Sequence, residues 1–538
     1  MTSVLVLAMF FQQTPADVKP ATLEGTVTHA AAQMPIRKAK VSLTAVGSSE
    51  AAATAETGDD GKFSLKDIKP GRYRLWAEKS GYQTSAYGAK KPGDPVGQTL
   101  RIDSGTSLTS LAIPLPKFGV IAGKVVDQEG EPVARTLVLA LNNIYVNGKR
   151  TRLPAGTVPM MSNDLGEYRI GQLPPGKYII CAIPEGGYSP NTTLSEGPAK
   201  SGESLGNTCF PNVPNPNEAT SLEIKDSAEV PGIDIRMLKN HTVTIKGRVN
   251  GVPSNSSAVT LLNLTPKDSG PIGRAMGPRA ILQGSDGRFE FKNVPSGSYT
   301  LQTLPTGLGS IPFVVKQNIE VGGQPVNDLN VPALLPFEVK GHIQAEPAPD
   351  LKLPSVKVIA QPADDIVTTL SLTSPLDNGD FILANIVPGK FRLTITGLPA
   401  SHYVKEIRVG EQAVPGDDPE LTNAATPVTL LLAVSKAEIS GSIRNEKGEA
   451  APGATVGLIP DPRKPFRQRI GRADQSGTFR LQNIPPGEYL LLAFDQLENG
   501  VLDDEEFLKP LLSKAKRVKV QDDAGQSVDL KITPYAER

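Results

Sequence analysis

Five times along this chain a turn glycine is followed ten residues later by a second glycine, with the same residue types between and beyond them. The first copy runs Asp60-Gly61-Lys62-Phe63-Ser64-Leu65, then Ile68, Pro70-Gly71, Tyr73 and Leu75. The second has Gly166, Tyr168, Ile170, Leu173, Pro175-Gly176 and Tyr178. The third has Asp286-Gly287, Phe289, Phe291, Val294, Gly297, Tyr299 and Leu301. The fourth has Asn378-Gly379, Phe381, Leu383, Ile386, Pro388-Gly389, Phe391 and Leu393, and the fifth Gly477, Phe479, Leu481, Ile484, Pro486-Gly487, Tyr489 and Leu491. Internal repetition of this kind limits the chain to a string of similar units. Asp-Gly and Asn-Gly supply the positive φ of a tight hairpin turn. Aromatic-x-aliphatic steps of period two put both side chains on one face of a strand. Pro-Gly then suits a type II turn, with Gly at positive φ, and Tyr-x-Leu resumes the alternation. Each copy therefore reads as a β-hairpin with one apolar face.

Before each hairpin lies an opening strand with a central glycine: Gly25, Gly123, Gly247, Gly341 and Gly441. A second strand follows it, as in Val41-Ser42-Leu43, and a closing strand such as Gly232-Ile233-Asp234-Ile235 ends the unit. About seven short strands per copy, Gly/Pro turns and no convincing amphipathic helix predict an all-β chain. The expected architecture is a tandem array of about five Ig/transthyretin-like β-sandwich domains. They would span 21–115, 116–240, 241–335, 336–436 and 437–538, after a signal-peptide-like segment at 1–20. That segment holds Val4 to Phe11, an apolar run of the length of a signal core and too short for a membrane span. No Lys or Arg precedes it and no clean A-x-A site follows. Export and an apolar N-terminus without a targeting role both stay open on the residues.

The opening G-x-V, the turn-Gly-x-aromatic and the P-P-G-x-Y skeleton resemble the carboxypeptidase regulatory-like domain family. These are transthyretin-like sandwiches of the starch-binding-like and Cna-B-like group. Copies one, two and five match best; three and four lack the D-x-x-G-x-P turn after the first strand. The resemblance implies the fold and no activity, because in the metallocarboxypeptidases the module is an accessory to a catalytic domain that this chain lacks. Tandem copies on their own resemble large exported proteins of Gram-negative bacteria. That implies a periplasmic, outer-surface or secreted location.

Composition narrows the task. Gly and Pro together make about 18% of the chain, and 39% is hydrophobic, so core material is adequate and collagen or wholesale disorder is disfavoured. Lys+Arg and Asp+Glu both number 56, which speaks against a nucleic-acid partner. The two cysteines, Cys181 and Cys209, exclude a disulfide-dense scaffold and leave one bridge, which would pin the loop after the second hairpin. The four His are scattered, and no HExxH, P-loop or G-x-G-x-x-G in a strand–helix setting occurs.

Three features ask for a functional reading. Gly202-Glu203-Ser204-Leu205-Gly206 matches a G-x-S-x-G nucleophile elbow but is expected in a polar loop, where a hydrolase has no strand–helix support. Asp495 to Glu506 is acidic, and Asp495, Glu498, Asp503 and Asp504 offer carboxylates for a calcium ion; a solvated loop is the plainer alternative. Trp76, with Tyr82 and Tyr87 in the next loop, offers aromatic faces for sugar stacking or, more blandly, sheet contacts. No other cofactor is indicated. The sequence thus favours a non-catalytic binding or structural scaffold of the cell envelope, with recognition in the loops at 142–161 and 184–220. Its partner would be an envelope protein or a polysaccharide. A carbohydrate-binding protein, an adhesin or stalk and a hydrolase are the alternatives.

Overall fold

The computed structural model describes residues 19–48, 50–146, 148–156, 160–184, 202–253, 260–267, 269, 273–282, 286–304, 312–346, 348–363, 370–462, 467–522 and 524–535. The apolar run at 4–11 and residues 185–201 of the second long loop lie outside them. The chain is a tandem array of about five β-sandwiches, with ten sheets among the described residues and helices of no more than four residues. Two compact units are distinguished by contact density. One comprises residues up to 117 with Ile443–Ala454 and Arg472–Thr478; the other comprises Phe118–Ser442, Thr455–Gly471 and the residues from Phe479 onward.

In the first unit, Ala21–His29 lies between Lys62–Ile68, antiparallel, and Ser107–Leu115, parallel. The facing sheet runs Ala51–Glu56, Lys40–Ala45, Gly71–Glu78 and Ser85–Ala86, with Leu100–Ile102 also on Gly71–Glu78. Alternate residues of both sheets, among them Leu23, Val27, Leu43, Phe63, Leu75 and Ile113, fill the space between. The second unit repeats the plan. Gly119–Val126 pairs with Glu167–Leu173, Lys239–Asn250 with Arg288–Pro295, and Phe337–Gln344 with Asp380–Ile386. Each opening strand also lies parallel to its own closing strand.

The parallel pairing explains the opening glycine. A Cβ at Gly25 would lie 2.0 Å from the Leu111 carbonyl oxygen, at Gly123 2.1 Å from that of Ile233, at Gly247 2.3 Å from that of Leu329, and at Gly441 1.9 Å from that of Val528. The aromatic after the turn stands directly across from this glycine, Gly25 against Phe63 and Gly123 against Tyr168, and covers the place a side chain would have filled.

The hairpin turns hold Gly61, Gly166, Gly287, Gly379 and Gly477 at φ between 71° and 91°, in the left-handed region the sequence required. The Pro-Gly step departs from the type II expectation: Gly297, Gly389 and Gly487 sit at φ 155–157°, at the start of the returning strand. The left-handed residue comes earlier, at Asp67, Gln172, Asn293, Asn385 and Asn483 (φ 55–59°), six positions after the turn glycine in every copy. In the first four copies it coincides with a register shift, a bulge that lets the chain leave one sheet for the other. Beyond it the tyrosine hydroxyl closes the corner. Tyr73 donates to the Lys69 carbonyl (2.9 Å), Tyr178 to Pro174 (2.6 Å), Tyr299 to Pro295 (2.9 Å) and Tyr489 to Pro485 (2.8 Å). The fourth copy has Phe391 at this position.

Candidate functional site

In the strands Leu137–Val146 and Gly176–Ile183, residues 137–141 and 178–183 are buried on both faces, unlike a sheet with one wet side. Val138, Ala140, Tyr178 and Ile180 face the sandwich core. The other face carries Leu137, Leu139, Leu141, Ile179, Cys181 and Ile183, and the chain after the hairpin returns to cover it. Cys209 pairs opposite Cys181 and the two are joined by a disulfide. Met276, from the short helix Gly273–Met276, closes the same apolar cluster.

The covering segment also reaches the next sandwich. Gly202–Leu205 forms a strand antiparallel to Lys239–Asn250, with Gly202 opposite Thr242 and Leu205 opposite Lys239. Gly206 N–H donates to the Leu238 carbonyl (2.8 Å), Leu238 N–H to the Thr208 hydroxyl (3.1 Å), and the Asn207 amide to the Met276 carbonyl (3.0 Å). The insert of the second sandwich is thus a strand of the third, held at its far end by the disulfide.

This geometry corrects the reading of G-x-S-x-G as part of a polar loop. Ser204 sits in a paired strand, with its hydroxyl 3.4 Å from that of Thr242, and no helix follows. Glu203 stands opposite His241, but strand alternation puts Ser204 on the other face from both. The polar composition hid the strand because it is specified by pairing rather than by apolar alternation.

The other junctions in this unit are held by main-chain and side-chain bonds together. Val314 and Leu334 exchange N–H to carbonyl bonds of 2.8 and 2.7 Å, and Val314 is buried in the core of the fourth sandwich. Ser435 donates from its hydroxyl to the Ile484 carbonyl (2.5 Å), and Ile484 N–H donates to the Ala437 carbonyl (3.1 Å). Arg467 spans Asp417 with two donors and donates to the Val404 carbonyl (3.1 Å). The Asp417 hydrogen bond raises the Arg467 guanidinium pKa further.

The acidic segment 495–506 is folded around apolar side chains. Among the described residues no group of three or more His, Cys, Asp or Glu is placed to hold a metal ion, so Asp495, Glu498, Asp503 and Asp504 do not converge. Asp504 caps the short helix Glu505–Leu508, accepting from the N–H groups of Glu506 and Phe507. Between the carboxylates, Leu497, Val501, Leu502, Phe507, Leu508 and Leu511 are buried in one cluster. Tyr145, near the tip of the hairpin Leu137–Val146 and Lys149–Pro154, packs on it. The approach is backbone to backbone: a Cβ at Gly148 would lie 2.5 Å from the Asp503 carbonyl oxygen. The loop read as recognition at 142–161 therefore has its tip engaged within the chain.

The aromatic trio is half-buried. Trp76 lies across from Ser42 and Ala86, while Tyr82 and Tyr87 pack against the first core. Tyr82 also meets the His29 ring edge-on at 6.0 Å. Tyr82 and Tyr87 thus spend part of their surface on the core. Burial pushes the Tyr178 and Tyr299 phenols up to about 12; burial, then the Asp234 carboxylate, raises that of Tyr168, which donates to the Ile233 carbonyl (2.5 Å). Tyr178 and Tyr299 brace their corners, Tyr168 ties its strand to the closing segment, and all three remain neutral at physiological pH.

Residues 22–108 match the Carboxypeptidase regulatory-like domain family. No curated protein matches the chain. Among solved structures it is similar to a streptococcal ancillary pilin, at 12% identity over 55% of this chain and 99% of that one, with a TM-score of 0.21. It is also similar to the minor pilin of Streptococcus agalactiae (15% identity, 41% and 95%, TM-score 0.22) and to the major pilin of Bacillus cereus (10%, 96% and 99%, 0.14). Likeness at this level assigns no function.

Proposed function

We propose that this chain is an exported, non-catalytic binding and structural scaffold of the cell envelope. The observation that carries the reading is the locking of successive sandwiches through one shared strand and direct hydrogen bonds, clearest where Gly202–Leu205 joins the sheet of Lys239–Asn250. Structure is spent on fixing modules against one another, and the residues repeated in every copy serve turns, corners and cores. The buried disulfide supports an oxidising compartment. An envelope protein or polysaccharide remains the expected partner. A stalk of modules touching only their neighbours fits less well, because Tyr145 of the second sandwich packs against the cluster at 497–511. The half-buried trio weakens aromatic stacking as a route to carbohydrate binding, and Ser204 on its paired strand weakens the hydrolase reading.

The test is fractionation of cells making the full-length protein, with alkylation of free thiols before lysis and cross-linking in intact cells. Recovery outside the cytoplasm with Cys181 and Cys209 oxidised and cross-links to envelope components is the expected result. Recovery in the cytoplasm with both thiols reduced overturns the reading.

A further inference from the structure

The same end of the sandwich is treated differently in three copies. In the second, Leu137 and Ile183 at this end are covered by the disulfide-bonded insert. In the fifth, the corresponding Thr455 and Phe494 are buried, and Phe494 belongs to the cluster at 497–511. In the first, the equivalent residues are Lys40 and Glu78, directly across from each other in the sheet, and both side chains are exposed. Instead of a covered apolar face there is a groove of about 460 Å³ lined by Lys38, Lys40, Glu78, Lys79, Ser80 and Thr84.

The groove is built from fixed parts. Lys38 holds a left-handed backbone (φ 52°), with its N–H bonded to the Thr57 carbonyl (2.9 Å). The corresponding Arg135 and Gly453 share that geometry, at φ 52° and 71°, so the turn belongs to the fold and the lysine is particular to this copy. Lys79 Nζ donates to the Lys38 carbonyl (3.0 Å), and Lys40 Nζ lies 3.1 Å from the Glu78 carboxylate. Three lysines and one carboxylate thus line the groove, with Lys40 paired to Glu78. The surrounding sandwich amplifies the field: residues 19–117 hold 14 Lys and Arg against 9 Asp and Glu, a net +5 in a chain that balances overall. Lysine point charges beside the hydroxyls of Ser80 and Thr84 suit an anionic polymer that is itself rich in hydroxyl groups, which polyphosphate is not.

We propose that this groove is a binding site for an acidic polysaccharide, with Lys38, Lys40 and Lys79 meeting uronate carboxylates and Ser80 and Thr84 its hydroxyl groups. The site rests on the reading of the chain as a binding scaffold and gives it a ligand class. The test is calorimetric titration of the full-length protein with polygalacturonate, neutral dextran and polyphosphate at low and high salt. The expected result is saturable, salt-sensitive binding of polygalacturonate and none of dextran. The K38Q/K40Q/K79Q variant should lose about tenfold or more in affinity, the equivalent of ~1.4 kcal/mol, with unchanged melting. K38R/K40R/K79R should retain binding. Equal binding by the glutamine variant, binding of polyphosphate but not polygalacturonate, or no binding of polygalacturonate would each overturn the site. The fractionation result stands apart from these outcomes, so failure of the groove and failure of the scaffold reading are told apart.

Discussion

The second and fourth sandwiches are built on one skeleton and secured by different means. In the second, Gly123 faces the Ile233 carbonyl, Tyr178 ties the corner and a disulfide pins the insert. In the fourth, Gly341 faces the Phe381 ring instead, Phe391 leaves the corner without a hydroxyl, and no cysteine is present. The fourth gains sheet in exchange: His402–Val409 and Gln412–Val414 extend the sheet of Phe337–Gln344 to five strands. The left-handed bulge at Gln172 and Asn385 is common to both. The crossover between sheets is thus the invariant element, and the hydroxyl, the bridge and the additional strands are alternative ways to hold it.

Substitution at the opening glycine breaks the comparison most sharply. A Cβ in Gly123→Ala would meet rigid backbone 2.1 Å away and should cost about 3 kcal/mol, whereas in Gly341→Ala the obstacle is the Phe381 side chain, which can shift more readily than a paired backbone, at about 2 kcal/mol. Local hydrogen exchange in the full-length chain should show the larger loss of protection in Gly119–Val126. Equal losses would refute the distinction between carbonyl and ring.

Removing the bridge with Cys181→Ser and Cys209→Ser should destabilise the second sandwich by about 3.6 kcal/mol on the loop-entropy estimate for a separation of 28 residues. Exchange across Phe337–Gln344 should not change.

Corner hydroxyls should matter less. Tyr178→Phe is expected to cost about 1 kcal/mol, and Phe391→Tyr to be neutral or to return up to that amount. A loss on Phe391→Tyr would show that the fourth corner cannot accept a donor.

Alkaline titration sharpens the same contrast with the smallest effect. Folding raises the Tyr178 and Tyr299 phenols from 10.0 to about 12, so the folded state favours the neutral form. Their contribution is fully present below pH 10 and is lost as pH rises toward 12, reduced by the water the rings still meet. The second and third sandwiches should loosen before the fourth, which has Phe391 at that corner. Simultaneous loosening would assign the alkaline transition to other groups.

Much of this was legible because the repeat is written in residues with narrow physical roles. Turn glycines, alternating aromatics and Pro-Gly-x-Tyr placed the hairpins, whereas the crowding at the opening glycine depends on the parallel closing strand, which the sequence did not pair with it. Asp67, Asn293, Asn385 and Asn483 stood at a constant offset with Gln172, and the Asp and Asn of four copies could have signalled the bulge. The shared strand was harder to see, because Gly202–Leu205 gets its conformation from a partner strand more than thirty residues away. In 495–511 the carboxylates drew attention from the leucines, valine and phenylalanine between them. Those apolar residues form a cluster the acidic pattern did not suggest.

The most direct test of the scaffold is amide hydrogen exchange at Lys239–Thr242 in oxidised and reduced full-length protein. If Gly202–Leu205 couples the second sandwich to the third through the disulfide, protection there should fall on reduction together with that of Gly202–Leu205. Strong protection unchanged by reduction, with Gly202–Leu205 exchanging freely in both states, would contradict the coupling.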